Sequence, residues 1–573
     1  MNPATAGGVG RTAEPACASA ALSLGRALLE HAGVLALATP FFWLAAHNYL
    51  QLDFWFDEIA TLENYVMVPL AKTVTDYTYP NNHVFFSLLM NLAFKAFHIH
   101  NFNHLLDHPR IARLIMLAIS AATLLLVYAV GRRSFGRFTG ACALVLLATC
   151  VPFYNYAVQF RGYVLSMALL CLLLPIVWDM ERDATAGRAA AAAGVSALLV
   201  YTIPLNLYVL AAMAACQAAF AAADALAPRL GRGGPGRDWR PSLAVAASLA
   251  AGVAASALLY APVLRRVLHN PYVESGKDFR PFILSGMMPQ VLGDLLSRRW
   301  ALLAALPVAI VVLARRGGGP AKADARRRLV FLGATLVLPF VFSFLRRDSP
   351  YDRVFVNLAP LAALLLAAGL GVALGNVLRN RRALSLCAVL GVAAYCSLVF
   401  VGEVRDKDAC LARLVNGPRV AREEHDLYHN FFQFEYQPNE IARLAREFLD
   451  RHGEPVTVVI ERETDRQAFP RQYLRKYGID ALETRDRPWR EDAVLEETLR
   501  ITTHPAAFLR TARWRLPGVR CERLEEDVTF ADIFYCRRTA GAGPVIARRA
   551  PRAGTPALAA SASAAVQSAG NAQ

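Results

Sequence analysis

Two adjacent carboxylates, Asp57 and Glu58, are the first candidates for chemistry because they lie among aromatic residues. They follow Phe54, Trp55 and Phe56 directly in the chain. Apolar surroundings disfavour the charged form of a carboxylate, so the sequence predicts a raised pKa and a better general base. Successive positions on a helix point roughly 100° apart, so only one of the two is expected to face a common centre. Alternatively, Asp57 caps the helix that follows it.

A second group of candidates lies further along the same loop. The stretch Tyr79-Pro80-Asn81-Asn82-His83 leads into an apolar helix. Asn82 and His83 could therefore contact a substrate or a metal, and His83 could also orient a phosphate or assist proton transfer. The alternative is a surface or capping role, which is more frequent for a lone histidine. Four more histidines follow in a spacing that fits no structural zinc site, so they are predicted to be structural: 98, 100, 104 and 108.

Two later turns carry arginines that could bind phosphate. Arg161 lies between aromatic residues and is followed by Tyr163, an arrangement that suits a phosphate held at a membrane boundary. The alternative is an interfacial anchor, with tyrosine in the aromatic belt and arginine reaching to the polar surface. Arg353 ends a turn that holds three arginines and two aspartates. These arginines could bind a lipid phosphate or simply pair with the aspartates.

The elements that must position these residues are mainly apolar. The chain has 573 residues, of which 55% are hydrophobic and 18% charged, and its mean hydropathy is +0.32. This composition excludes a disordered or a fibrous chain. Many apolar residues form blocks of the length, about 17–25 residues, that a helix needs to cross ~30 Å of hydrocarbon. Much of the net charge of +16 lies in short loops between these blocks, where it fixes topology, so no nucleic-acid partner is predicted.

The topology depends on the apolar segment 83–97. If this segment lies on the membrane as an amphipathic helix, every later arginine-rich short loop falls on the inside. That choice predicts eleven spans, with an outer first loop at 48–110 and a later outer loop at 264–299. The spans are expected at 27–47, 111–130, 138–156, 163–180, 189–204, 206–227, 243–263, 300–315, 329–345, 354–376 and 383–402.

The predicted domains follow from this topology. Residues 1–26 form a disordered cytoplasmic N-terminus, 27–402 a transmembrane domain, 403–539 a small periplasmic α/β domain and 540–573 a disordered tail rich in alanine. The fold class is therefore mainly α, a polytopic membrane protein of about eleven helices with a small C-terminal α/β domain. Cys521 and Cys536 flank a predicted hairpin in that domain. They could form a disulfide in an oxidising periplasm or remain two buried thiols.

The order of these motifs resembles that of a known family. The Asp-Glu loop, the Asn-Asn-His helix, Arg-Ile-Ala-Arg-Leu at the start of a span and the aromatic-Arg-Gly-Tyr turn are similar to motifs of the GT-C glycosyltransferases. The resemblance is to bacterial relatives of protein O-mannosyltransferases and of the lipid A aminoarabinose transferase. It covers mainly residues 27–180, and more weakly Asp352, Arg353 and Pro360. It implies an inverting enzyme of the bacterial inner membrane, with a periplasmic active site.

The resemblance also implies roles for individual residues. Asp57 matches the catalytic acidic position and Glu58 its usual neighbour. Arg161 and Tyr163 match the aromatic-Arg-x-Tyr turn, and Arg353 matches an arginine near the donor phosphate. His83 stands where the family often has His-Pro-Pro, but the prolines are absent here. Some members use a divalent metal ion, so the cofactor is left as unknown, with a divalent metal as one possibility.

The leading functional prediction is a glycosyltransferase. It would move a hexose or pentose from a polyprenyl-phosphate donor to a hydroxyl of a lipid, glycan or protein acceptor, within a membrane-lipid environment. A lipid or sugar transporter is the main alternative, but the spans show no obvious inverted repeat and few midplane charges. A non-catalytic membrane protein that binds a partner would leave the Asp-Glu loop unexplained.

Overall fold

The computed structural model describes residue 33 and residues 36–538, with interruptions. The segments left out of that range are 48–49, 228–236, 270–282, 297–298, 315–319, 347–351, 379–380, 417–437, 454, 462–470, 484–496, 503–507, 509–518 and 525–531. The predictions of disorder for residues 1–26 and 540–573 fall outside the described residues, and so does much of the predicted outer loop 264–299.

Helices dominate the described chain as far as residue 416. They are α1 (36–47), α2 (Phe56–Thr61), α3 (Leu70–Thr75), α4 (Val84–Ala96), α5 (Phe102–Asp107), α6 (Arg110–Phe135), α7 (Arg137–Ala148), α8 (Val151–Tyr156), α9 (Tyr163–Met180), α10 (Ala186–Thr202), α11 (Leu207–Leu226), α12 (Arg240–Leu259), α13 (Leu264–Leu268), α14 (Met288–Leu295), α15 (Trp300–Leu303), α16 (Ala305–Ala314), α17 (Pro320–Arg346), α18 (Ala359–Leu378) and α19 (Arg382–Asn416). Two 3₁₀ segments, Pro204–Asn206 and Asp352–Leu358, and two π-helical turns, Leu62–Val66 and Ile283–Met287, lie between them.

Seven of the helices in the described residues are long and apolar enough to cross a membrane, so the chain is a multi-pass membrane protein. They lie at Arg110–Phe135, Tyr163–Met180, Pro204–Leu226, Arg240–Leu259, Lys322–Arg346, Arg353–Gly375 and Arg382–Glu403. Shorter apolar helices at Arg137–Ala148, Ala186–Thr202 and Ala301–Ala314 match three further predicted spans. Together with the partly described first block, these helices are consistent with the predicted eleven spans.

Helix α4, on which the topology depends, is short for a membrane span, but so are α7 and α16, so the course of the loop that contains α4 decides the topology. The 13 residues of α4 extend about 20 Å, against about 30 Å of hydrocarbon. The loop that contains it also begins and ends at the same end of the bundle. The carbonyl oxygens of Leu52 and Asp53, which follow α1, accept hydrogen bonds from Arg113 in the first turn of α6. The first loop therefore returns to the side from which it left.

The predicted span 138–156 is divided into two helices. Pro152 has no N–H, and its ring excludes a helical carbonyl four residues earlier, so α7 ends at Ala148 and α8 begins at Val151. The buried guanidinium of Arg299 donates to the carbonyl oxygen of Leu146 at 2.7 Å and to that of Thr149. A cation at the end of α7 satisfies carbonyl groups that the break leaves without helical partners.

Two glycines let α6 and α7 form a tight hairpin. Gly136 joins the helices with a φ of 104°, a conformation that favours glycine. A Cβ atom on Gly140 would lie 2.7 Å from the carbonyl oxygen of Tyr128 and 2.9 Å from the amide nitrogen of Arg132. Any larger residue at position 140 would therefore push these helices apart.

A small α/β unit follows the helical bundle. It contains helices α20 (Pro438–His452) and α21 (Arg471–Lys476), and strands β1 (Thr457–Ile460), β2 (Leu482–Glu483), β3 (Glu497–Thr502), β4 (Val519–Arg523) and β5 (Asp532–Arg538). The sheet order is β2-β1-β3-β5-β4. Strand β1 pairs in parallel with β2 and β3, whereas β5 pairs antiparallel with β3 and β4. Cys521 and Cys536 face each other across β4 and β5 and form a disulfide.

The α/β unit packs on the loop between α1 and α6. The amide of Phe54 donates to the hydroxyl of Tyr473 at 2.8 Å, and the amide of Asn439 donates to Asp53 Oδ2 at 2.8 Å. Lys476 also pairs with Asp107. The α/β unit therefore lies at the end of the bundle that holds the Asp-Glu segment, and it touches the two residues three and four positions before Asp57.

Candidate active site

Asp57 lies at the centre of a charged cluster that three distant segments form. Its Oδ2 atom is 3.4 Å from Arg161 Nη1 and 3.5 Å from Arg353 Nη1. Helix α2 carries the aspartate, the turn before α9 carries Arg161, and the 3₁₀ segment Asp352–Leu358 carries Arg353. One carboxylate therefore contacts two guanidinium groups that come from distant parts of the chain.

Asn81 completes this cluster. Its side-chain nitrogen donates to Asp57 Oδ1 at 2.9 Å, and its side-chain oxygen accepts a hydrogen bond from Arg161 Nη2 at 3.3 Å. The sequence pattern predicted a substrate or metal contact for the neighbouring residue Asn82, and no role for Asn81. The side chain of Asn82 is buried and donates to the carbonyl oxygens of Thr73 and Asp76, so it holds the outer loop in shape. Nothing in the pair of asparagines reveals which one turns towards the carboxylate.

The expectation of a raised pKa at Asp57 is wrong. Burial alone would raise the pKa, but the charges of Arg161 and Arg353 and the Asn81 hydrogen bond outweigh it and hold the pKa of Asp57 below its ordinary value. The sequence shows the aromatic neighbours of the carboxylate directly. It does not show that residues about 100 and 300 positions later in the chain bring two positive charges to it.

Glu58 points to a different set of partners. Its carboxylate is fully buried and lies 3.2 Å from Arg113 on α6. The amides of Trp55, at 2.8 Å, and Phe160, at 2.6 Å, also donate to it. These bonds hold α2 against both α6 and the turn that contains Arg161. In this structure Glu58 thus positions the cluster through its ion pair with Arg113. In the sequence, Arg113 is visible only as part of the Arg-Ile-Ala-Arg-Leu motif.

The turn after Arg161 packs closely on His83. The amide of Gly162 donates to His83 Nδ1 at 2.8 Å, and a Cβ atom on residue 162 would lie 2.9 Å from that ring. Burial, together with the charges of Arg161 and Arg353, keeps the pKa of His83 well below its ordinary value, so the ring is neutral. Tyr163 packs on both His83 and Arg161. The centre of its ring lies 5.0 Å from the centre of the His83 ring and 5.7 Å from the Arg161 guanidinium carbon.

Two features leave the cluster open to a ligand. The side chains of Asp57 and Arg353 keep 20% and 21% of their surface exposed, whereas Arg161 keeps 4%. The Nε atom of Arg161 is buried and has no hydrogen-bond acceptor among the described residues. A buried donor without a partner is costly, and an anionic oxygen would satisfy it. The arrangement can therefore bind a phosphate beside a carboxylate able to accept a proton.

A divalent metal ion does not fit the described residues of this cluster. Two of the three groups nearest to Asp57 are guanidinium groups, which are not metal ligands. His83 Nδ1 already accepts a hydrogen bond from Gly162. No group of three histidine, cysteine, aspartate or glutamate side chains suited to a metal occurs in the part of the chain that the structure describes.

Two solved structures of ArnT from Cupriavidus metallidurans are similar to the chain. The structure bound to undecaprenyl phosphate has a TM-score of 0.44 and 15% identity, and covers 91% of this chain and 99% of ArnT. The apo structure has a TM-score of 0.46 and 13% identity, with 90% and 98% covered. No protein-family model matches the chain, and no curated protein sequence matches it significantly.

A similarity at this identity and TM-score supports no conclusion about activity. Any functional conclusion must therefore come from this chain's own residues, above all from Asp57 and the two arginines that contact it.

Proposed function

We propose that the chain is a membrane glycosyltransferase of the GT-C type that uses a polyprenyl-phosphate sugar donor. The observation that carries this proposal is the contact of one partly exposed carboxylate, Asp57, with two arginines, Arg161 and Arg353. Transfer from a lipid-linked phosphate needs a base for the acceptor and fixed positive charge for the leaving phosphate. The cluster supplies both within a few ångströms.

The proposed reaction is a single inverting displacement. The acceptor hydroxyl oxygen attacks the anomeric carbon of the sugar and forms the new glycosidic bond. The bond between that carbon and the phosphate oxygen breaks, and its electron pair leaves with the polyprenyl phosphate. Asp57 accepts the hydroxyl proton, and Arg161 and Arg353 stabilise the negative charge on the departing phosphate.

Donor binding would activate the base in this scheme. Without a donor, Arg161 and Arg353 hold the pKa of Asp57 below its ordinary value, which makes it a weak base. A donor phosphate between the two arginines would compete with Asp57 for their hydrogen bonds. The partial neutralisation of their charge would raise the pKa of Asp57 at the moment when a base is needed.

The membrane placement follows from the proposed topology. The cluster lies at the end of the bundle that carries the α/β unit, which contacts the loop at Asp53 and Phe54. We place this end in the periplasm of a bacterial inner membrane, because the arginine-rich short loops then lie inside. A lipid, glycan or protein acceptor would approach from the aqueous side of the α/β unit, and the polyprenyl chain would remain in the bilayer.

The test is a comparison of envelope glycans by mass spectrometry. Four strains are compared: one lacking the protein, and three that carry the wild type, Asp57→Asn or Asp107→Asn. Asp107 is a carboxylate of the same outer loop that pairs with Lys476 and does not contact the cluster. We expect one glycan to be missing in the deletion strain and in Asp57→Asn, and present with the wild type and Asp107→Asn.

The amount of each variant in the membrane is measured by immunoblot, so that loss of protein is separated from loss of activity. A strain with Asp57→Asn that restores every glycan at wild-type protein levels contradicts the assignment of Asp57. In that case the cluster binds an anion without chemistry, and a lipid or sugar transporter becomes the better explanation.

A further inference from the structure

Asn357 joins the segment that carries Arg353 to the rest of the bundle. It lies in the 3₁₀ segment Asp352–Leu358, four residues after Arg353. Its side-chain amide donates to the side-chain oxygen Oδ1 of Asn206, which lies in the short 3₁₀ turn between α10 and α11. Both side chains are buried, with 2% and 0% exposed. A displacement of Asn357 would therefore move Arg353 directly.

Asn206 continues this contact to the helix that follows Arg161. Its amide donates to Ser166 Oγ at 3.1 Å and to the carbonyl oxygen of Leu199 at 2.7 Å. Ser166 lies in the first turn of α9, which begins two residues after Arg161. One buried amide thus joins three segments, and two of them carry the arginines that contact Asp57.

A buried amide among apolar helices requires a reason, because an apolar side chain would pack there without any need for hydrogen bonds. The segment does not need this amide merely to stay in the bundle. The ring of Phe355 stacks on that of Phe340 in α17, with centres 4.3 Å apart, and it anchors the segment by apolar contact. Asn206 adds a defined position for the segment, because hydrogen bonds select one register of the segment against its neighbours, whereas apolar contacts allow several.

We propose that Asn206 is a positioning residue that sets the spacing between Arg161 and Arg353 for the phosphate of a polyprenyl-phosphate ligand. This inference rests on the proposed function, because it takes the two arginines as the phosphate site. It extends that function to residues that contact neither Asp57 nor the ligand. Asn357 transmits the effect to Arg353, and Ser166 provides the fixed point on α9.

The test measures binding of farnesyl phosphate, with farnesol as the ligand that lacks the phosphate, to the purified full-length protein in detergent. The variants are Asn206→Ala, Asn357→Ala and Arg353→Ala. The control is Gln217→Leu. Gln217 lies in the second half of α11, away from Asn206, and the substitution removes the buried hydrogen bond that its side chain donates to Glu181. Thermal unfolding of each variant is recorded. If Asn206→Ala fails to fold, Asn357→Ala still tests the proposal, because it leaves the bonds of Asn206 to Ser166 and Leu199 in place.

We expect Asn206→Ala and Asn357→Ala each to weaken farnesyl phosphate binding about tenfold, the scale of a small misplacement in a binding site, and Gln217→Leu to change it less than about twofold. In the Arg353→Ala background, Asn357→Ala should add nothing, because its effect acts through Arg353. Additive losses in that background would identify a general structural role and overturn the proposal.

The outcomes separate the two levels of inference. Wild-type affinity in Asn357→Ala, combined with a loss in Arg353→Ala, refutes the positioning role and leaves the phosphate site intact. Wild-type affinity in Arg353→Ala, or equal binding of farnesol and farnesyl phosphate by the wild type, refutes the proposed phosphate site itself.

Discussion

At the end of the bundle that holds Asp57, one carboxylate faces two arginines, whereas a matched network at the other end pairs three carboxylates with three arginines. There, Arg327 contacts Asp224 at 2.7 Å and Glu181 at 3.5 Å. Arg237 contacts Asp324 at 3.0 Å and Glu181 at 3.7 Å. Arg182 also contacts Asp324, so three carboxylates pair with three arginines. Helix α9 links the two ends, since it starts beside Arg161 and ends at Met180.

The difference shows how to distinguish a structural ion network from a ligand site. In the matched network the carboxylates neutralise the arginines, and the side chains of Glu181 and Arg327 keep only 5% and 10% of their surface exposed. Such a network fastens α9, α11, α12 and α17 together. At the Asp57 end two arginines share one carboxylate among the described residues, and the Arg353 side chain keeps 21% of its surface exposed, so an additional anion would be stabilised there.

The largest expected effect concerns Arg161. Arg161→Ala should lower the rate of glycan formation by about 10²–10³, the scale for removing one donor to developing negative charge. The free energy of unfolding should fall by less than the roughly 3–5 kcal/mol typical of a broken buried pair, because Asp57 keeps Arg353 as a partner. The measurement is the rate of formation of the glycan identified with the deletion strain.

Arg266→Ala is the matched control for Arg161, since Arg266 lies at the same end and pairs only loosely with Asp76, at 3.8 Å. It should retain wild-type activity. Equal rates for the Arg161 and Arg266 variants would show that positive charge near Asp57 does not contribute to the reaction.

A smaller effect, on stability alone, is expected in the matched network. Arg327→Ala leaves Asp224 and the buried Glu181 short of a positive charge, which should cost about 2–3 kcal/mol in free energy of unfolding. Arg182→Ala breaks a pair whose arginine is 57% exposed, so it should cost less than about 1 kcal/mol. Thermal unfolding in detergent measures both. A drop in phosphate affinity in folded Arg327→Ala would mean that the two ends are coupled rather than separate.

Much of the helical bundle is predictable from the sequence because apolar blocks and loop charges are local features. The predicted span 243–263, for example, corresponds to α12 at Arg240–Leu259. The division of 138–156 was missed, although Pro152 marks it, because the stabilising arginine lies about 150 residues later. In the α/β unit the Val-Thr-Val-Val-Ile run is typical of a strand and corresponds to β1, whereas β3 has a less clear sequence pattern. Its polar Arg500 is buried only because Glu461 pairs with it.

The candidate site, like the fold, is predictable from the sequence only in part. Residue types and order select Asp57, Arg161 and Arg353, and the structure brings these three side chains together. The sequence cannot assign Glu58 to Arg113, nor decide between Asn81 and Asn82, because these choices depend on how a loop folds onto helices far along the chain.

The last expected effect is a dependence of stability on pH, and it arises where the α/β unit meets the loop between α1 and α6, at Asp53. Burial raises the pKa of Asp53 from 3.8 to about 7, against the opposing effects of the Asn439 hydrogen bond and nearby positive charges. Between about pH 4 and pH 7 the unfolded chain releases the Asp53 proton while the folded protein keeps it. The folded state then binds more protons, so stability falls as the pH rises through this window and levels off above it.

Asp53→Asn should remove this pH dependence, because an asparagine oxygen can still accept the Asn439 amide and carries no charge. The free energy of unfolding of the wild type should therefore fall more steeply than that of Asp53→Asn between pH 5 and pH 7, by at most about 1.4 kcal/mol per pH unit, the slope for one proton. Above pH 7 the two curves should run parallel. Thermal unfolding across this pH range measures the difference, and other titrating groups cancel because both proteins contain them. Parallel curves from pH 5 upwards would show that Asp53 is ionised throughout this range, and that its contact with the α/β unit does not make stability depend on pH.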